Sequence, residues 1–184
     1  NVGLDFRTLN SRLTIEADWY YRLTQNAVID APLPMGAGNL LGNRGEILNT
    51  GVELSFNWAD KIGKDFSYYI GANLTTLHND VKDLNGLSYL YGGSAEFRTI
   101  SQVGGELNAY YGYDIEGVYQ NAAEIAADPI AVANGLEPGD FKYVDQNKDG
   151  KIDNKDRVTL GSYIPNFNYG FNLGFSYKNF DFSM

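Results

Sequence analysis

Residues 167–177 read FNYGFNLGFSY, with Phe167, Tyr169, Phe171, Leu173, Phe175 and Tyr177 alternating against Asn168, Gly170, Asn172, Gly174 and Ser176. Successive side chains of a strand point to opposite faces, so this run dictates a β-strand with one apolar and one polar face. The same rhythm recurs in LTIEADWYY (13–21), VELSFNW (52–58) and FSYYIGANLT (66–75), with shorter versions at 2–8 and 180–184. The chain therefore reads as all-β and antiparallel. Several runs reach nine residues or more, whereas soluble strands average about 5–6 and a tilted membrane-crossing strand needs about 9–11.

Alternation alone does not choose a solvent, because a soluble β-sandwich alternates in the same way. Two further patterns favour a transmembrane barrel. Trp19, Tyr21, Trp58, Phe66, Tyr68, Phe167, Tyr169 and Tyr177 gather near strand ends on the apolar faces, where interfacial girdles require aromatic rings. The connections also alternate in length: 9–12 short, 30–50 long, 59–65 short, 79–166 very long, 178–179 short. Outer-membrane barrels sort short periplasmic turns from long extracellular loops in this way. The expected organisation is about four barrel strands in 1–80 with a long extracellular loop at 30–50, a large extracellular insertion at 81–166, and further barrel strands in 167–184.

Within the insertion, NAAEIAADP at 121–129 predicts a short helix with Asn121 as N-cap and Glu124 three residues on, stopped by Pro129. A second turn is expected through IAVANGL, closed by Asn134 and Gly135. LNAYYGYDIEGVY suggests a local hairpin or a further strand pair. The aromatic, glycine-rich stretches at 89–93 and 108–114 either stack on a ligand or pack the insertion against itself.

Residues 145–156 read DQNKDGKIDNKD. Counted from Asp145, the run places Asn147 third, Asp149 fifth, Gly150 sixth, Lys151 seventh with its carbonyl, Asp153 ninth and Asp156 twelfth. Calcium takes 6–8 oxygens from a chain that curls tightly around it, and this spacing with glycine at the bend supplies them. Asp156 stands where a longer glutamate is usual. The flanks EPGDFKYV and RVTLGSYIP lack helical periodicity, so this is not a helix–loop–helix sensor; the expected cofactor is a structural calcium ion that locks the loop.

Other chemistry finds little support. The net charge of −9, from 14 basic and 23 acidic side chains, argues against a nucleic-acid partner. His78 is the only histidine and there is no cysteine, leaving no triad and no thiolate chemistry. The carboxylate pairs open to acid–base chemistry are Glu53 with Asp60 and Glu16 with Asp18, but Glu16, Asp18 and Glu53 fall on polar strand faces, where lumen hydration explains them more cheaply. No catalytic residue is expected, MGAGN (35–39) and GGSAEF (92–97) are not phosphate loops, and the chain is not expected to be an enzyme. No leader peptide is visible, and both ends fall inside alternating segments, so the chain reads as a piece of a larger protein.

Taken together, three segments carry a family resemblance. PGDFKYVDQNKDGKID (138–153), DRVTLG (156–161) and PNFNYGFN (165–172) resemble the late barrel region of SusC/RagA-type TonB-dependent outer-membrane transporters. NRGEILNTGVELSFNW and YYGYDIEGVYQN resemble earlier segments of that family. The resemblance implies a bacterial outer-membrane protein of the Bacteroidota type, a closed barrel with an N-terminal plug, and contact with the TonB complex through a region absent from this chain. It also implies a SusD-like surface lipoprotein as partner and oligosaccharide or peptide cargo, with membrane lipid around the barrel. The rival expectation is a secreted, calcium-stabilised β-sandwich that binds carbohydrate.

Overall fold

The computed structural model describes residues 1–32, 39–94 and 96–184, apart from the side chains of residues 31, 32, 39, 40 and 44. The chain divides into two compact units, Asn1–Ser88 with Val103–Gly105 and Ile164–Met184, and Tyr89–Gln102 with Glu106–Tyr163.

The first unit is one antiparallel sheet. Its strands are β1 (Val2–Thr8), β2 (Leu13–Pro32), β3 (Asn39–Ile62), β4 (Phe66–Thr76), β5 (His78–Leu84), β12 (Phe167–Tyr177) and β13 (Phe180–Ser183). The order is β1-β2-β3-β4-β12-β13, and β5 pairs with β3 beyond the end of β4. β3 thus pairs with β4 over Glu53–Ile62 and with β5 over Gly45–Thr50. The sheet is open at β1 and β13, and no closed barrel forms among the described residues.

The expected long loop at 30–50 is corrected here. β2 and β3 stay paired from Leu13↔Trp58 to Pro32↔Asn39, with bulges between Thr24 and Val28. Glycine and asparagine at 42, 43 and 45 break the alternation that marks a strand, yet the partner strand still supplies the hydrogen bonds. Residues 33–38, and with them most of MGAGN, lie outside the described residues. Sheet pairing also runs through β5 to Leu84, past the expected boundary at 80.

The second unit holds a four-stranded sheet, ordered β11-β8-β7-β6, from β6 (Tyr89–Gly93), β7 (Arg98–Gln102), β8 (Ala109–Tyr113) and β11 (Arg157–Gly161). A two-stranded ribbon joins β9 (Ile115–Val118) to β10 (Phe141–Tyr143). LNAYYGYDIEGVY is therefore no hairpin, because its two strands join different sheets. Helices α1 (Ala122–Ala127) and α2 (Pro129–Ala133) follow β9. Asn121 caps α1 as expected, accepting from the Glu124 N–H at 3.0 Å. Pro129 does more than stop it: it opens α2, with Asp128 as N-cap. Proline at the first helical position lacks only an N–H that would have no helical partner. Gly135, at φ +62°, closes the turn.

Candidate functional site

Register fixes the two faces of the first sheet. Leu54↔Leu74↔Tyr169, Phe56↔Ala72↔Phe171 and Trp58↔Ile70↔Leu173 form continuous apolar rows. β2 and β1 extend them through Ile15 and Phe6, Ala17 and Leu4, and Trp19 and Val2. Ring contacts knit adjacent strands, with Phe66–Phe175 at 5.8 Å and Phe175–Phe182 at 5.5 Å. These side chains are not core: Val2, Leu4, Phe171 and Tyr169 are 68, 64, 57 and 78% exposed. The buried apolar residues of this unit are only Leu48, Val81 and Leu84 among those described. A single contiguous apolar face of this extent marks a surface meant to be covered by lipid or protein.

The opposite face carries Glu16, Asp18, Glu53, Asn57, Asn73, Asn168 and Asn172, with glycines set against large neighbours. Tyr20 lies over Gly51 and donates its hydroxyl to the Thr76 carbonyl at 3.2 Å. A Cβ on Gly51 would sit 2.0 Å from that carbonyl oxygen. Glycine is thus required where a tyrosine lies flat across the polar wall.

In the second unit, the stretches at 89–93 and 108–114 lie in one sheet and pack on each other. Tyr91 meets Tyr89 at 5.0 Å and Tyr111 at 5.5 Å. Burial first, and then hydrogen bonding with Tyr111, hold the Tyr91 phenol above its usual pKa. Below the two helices Tyr119, 4% exposed, donates its hydroxyl to Asp128. Burial, reinforced by that carboxylate, pushes the phenol up to about 12. The hydrogen bond from Tyr119 holds Asp128 below the usual carboxylate range against its own desolvation.

The acidic run folds as a tight turn. Lys148 and Gly150 adopt φ of +59° and +83°, the second being the conformation for which glycine is suited at the sixth place. The Asp149 N–H donates to Asp145 Oδ1 at 3.2 Å and to Asn147 Oδ1 at 2.9 Å, so those two oxygens converge on one side of the bend. Asp145 also accepts from Gly150 N, Asp149 from Lys151 N, and Asp153 from Lys155 N. Asp156 is buried, and its carboxylate takes the N–H groups of Gln146, Asn147 and Asp153 at 3.0, 3.4 and 2.8 Å. Those bonds, that of Asp153 foremost, hold it below the usual carboxylate range. The donor set is all oxygen, as calcium requires. Among the described residues, no three acidic or imidazole groups are gathered as a ready metal cluster.

No family model matches the chain. Two curated relatives match along all of it: TonB-dependent receptor P26 of Formosa agariphila, 31% identical, and TonB-dependent receptor SusC of Bacteroides thetaiotaomicron, 30% identical. The solved structure of the RagAB peptide importer in its open-open state superposes on 98% of the chain, with a TM-score of 0.75 and 25% identity. The chain is similar throughout to SusC/RagA-type TonB-dependent receptors. It spans 19% of P26, 18% of SusC and 19% of the matched RagAB chain. Among the described residues no helix is long and apolar enough to cross a membrane, which says nothing of crossing by strands.

His78 lies exposed at the start of β5, away from any catalytic grouping. The contact that sequence reasoning missed is Tyr119–Asp128. Its signal was present, since aspartate directly before a proline that opens an apolar run is an N-cap pattern.

Proposed function

We propose that the chain is part of a TonB-dependent outer-membrane transporter that imports oligosaccharides or peptides and carries out no bond chemistry. The observation that carries this reading is the uncovered apolar face of the first unit, on strands with free edges at β1 and β13, in a chain similar throughout to SusC and RagA proteins. Lipid covers the apolar rows, the polar face lines the lumen, and the rest of the protein pairs with the two edges to close the barrel. The second unit stands on the extracellular side, where a SusD-like lipoprotein docks. Relatives named as receptors, and a neighbour named as a peptide importer, support uptake rather than catalysis.

We further propose that the acidic turn takes calcium through Asp145, Asn147, Asp149, Asp153, Asp156 and the Lys151 carbonyl. The spacing and the convergent oxygens of Asp145 and Asn147 support this. A bound cation supplies charge neutralisation and rigidity. Terbium luminescence sensitised by nearby tyrosines, lost in Asp145→Asn, tests it; absence of calcium-competed emission in the parent protein refutes it.

The membrane reading is tested on the native protein in outer-membrane extracts. A band much larger than this chain that shifts on boiling, and that carries a lipoprotein through a mild-detergent pull-down, is the expected result. A soluble protein indifferent to heat overturns the transporter and favours the calcium-stabilised sandwich.

A further inference from the structure

Between the row of Val52 and the row of Ile62, the apolar face of the first sheet carries one charged side chain among the described residues. The rows run from Val2, Trp19, Val52, Thr76 and Phe167 down to Ile62, Phe66, Tyr177 and Phe180, and every member is uncharged except Asp60. Asp60 sits opposite Tyr68, which sits opposite Phe175. A carboxylate in a lipid-facing row is costly unless it is paired or lies at the interface.

It is paired. Arg12, in the β1–β2 turn, donates Nη1 to Asp60 Oδ2 at 3.0 Å and Nε to the Leu9 carbonyl at 3.0 Å. Its guanidinium lies 6.0 Å from the Trp58 ring centroid, near the outer reach of a cation–π contact. A guanidinium has five N–H donors. Two are committed here, and the others meet no hydrogen-bond acceptor among the described residues. Beside it, Tyr68 accepts the Trp58 indole N–H at 3.2 Å, while its own hydroxyl proton has no acceptor among the described residues. Asp60 thus aligns a cation and stands next to a phenol, both with spare donors, at one level of an apolar face.

The surroundings share that sign. The short turns and strand ends of this edge carry Arg7, Arg12, Lys61, Lys64 and Lys178 against Asp60, Asp65 and Asp181, five cations to three carboxylates, in a chain whose net charge is −9. Lys178 Nζ lies 5.4 Å from the Tyr177 ring, one row beyond Asp60. Local positive charge beside aromatic rings and next to an apolar face suits an anionic group that arrives with acyl chains attached.

We propose that Arg12 and Tyr68 bind the phosphate of a membrane phospholipid, with Asp60 and Trp58 as positioning residues. This rests on the barrel reading and goes further: it fixes the row at which the bilayer ends on the short-turn side. The phosphate sits level with Asp60, the acyl chains lie over Phe175, Ile70 and Leu173, and the row of Ile62, Phe66 and Tyr177 enters the headgroup layer.

The test uses the full-length transporter in mild detergent, examined by native mass spectrometry. The probes are phosphatidylethanolamine, phosphatidylglycerol, the phosphate-free diacylglycerol and lipid A, with inorganic phosphate as a soluble competitor. Both phospholipids are expected to be retained and the diacylglycerol lost. Arg12→Met should weaken retention of one lipid about tenfold, as loss of a charged hydrogen bond does, and Arg12→Lys should restore most of it. Tyr68→Phe should weaken it less. Equal retention of diacylglycerol, unchanged binding in Arg12→Met, a preference for lipid A, or displacement by millimolar phosphate overturns the site. Each sample is also run with and without boiling. A preserved heat shift together with unchanged Arg12→Met binding removes the lipid site alone; absence of the shift in the parent protein removes the barrel on which it rests.

Discussion

Tyr119→Phe isolates one hydrogen bond in the second unit. The tyrosine is 4% exposed and its hydroxyl donates to Asp128. The same carboxylate caps α2, accepting from Ile130 N at 2.9 Å and Ala131 N at 3.4 Å. Removing one hydroxyl opens little volume, so the cost is that of a hydrogen bond to a charged group, about 1.5–3 kcal/mol. At roughly 2 kcal/mol, local opening becomes about thirtyfold more frequent. The amides that report it are Val132, Asn134 and Leu136, which bond to the carbonyls of Asp128, Ile130 and Ala131. Hydrogen exchange of a peptide covering 128–136, measured on the full-length protein, should accelerate by about that factor, whereas exchange in β12 stays unchanged. Acceleration below about threefold would refute the claim that this bond holds the helices down.

The same pair fixes the sign of the pH response. The Tyr119 phenol rises from 10.0 to about 12, so its contribution is complete below pH 10 and fades as pH climbs from 10 toward 12. Asp128 is lowered from 3.8, so its contribution is present above that value and fades as pH falls below it. Protection of 128–136 should therefore be flat through neutral pH and decline at both extremes, with the alkaline decline absent in Tyr119→Phe.

Other substitutions probe other parts of the chain. Gly51→Ala forces a Cβ to within 2.0 Å of the Thr76 carbonyl oxygen and should cost about 1–3 kcal/mol, read as a weaker heat-shifted band; Gly117→Ala, with nothing within 4 Å, should leave that band unchanged. Phe171→Arg places a cation in the middle of the apolar rows and should cost about 2–4 kcal/mol, lowering the amount of protein in the outer-membrane fraction. Asp156→Ala strands the N–H groups of Gln146, Asn147 and Asp153, so limited proteolysis should open a cut within 145–156. Because the Asp156 carboxyl is lowered from 3.8, the same cut should appear in the parent protein only as pH falls below that value.

Legibility in the sequence followed the range of the interactions involved. The strands β1, β4 and β12, the turn at 9–12 and the Asn121 cap were readable because alternation and capping act over a few neighbouring residues. The strand at 39–50 was not. Gly42, Asn43 and Gly45 erase its local pattern, and it is extended because β2 and β5 hold it from both sides. The second unit hid for a related reason. β8 pairs with β7 on one side and with β11 on the other, and no local pattern spans the chain from the end of β8 at Tyr113 to the start of β11 at Arg157.

The acidic run was legible as a spacing, but the spacing left the role of its last residue open. Counted as a loop, Asp156 is a twelfth-position ligand with a short side chain. In the fold it is buried and bonded to three N–H groups drawn from both ends of the run. A glutamate there would have to fold its extra methylene away to make the same bonds. Aspartate is therefore the better residue for cross-linking the turn to itself, and the departure at the twelfth place follows from that bracing role. The two roles separate experimentally: Asp156→Glu should loosen the turn in calcium-free buffer, seen as faster exchange of the Gln146 and Asn147 amides. Unchanged exchange there would leave the ligand role as the sole reason for an acidic residue at 156.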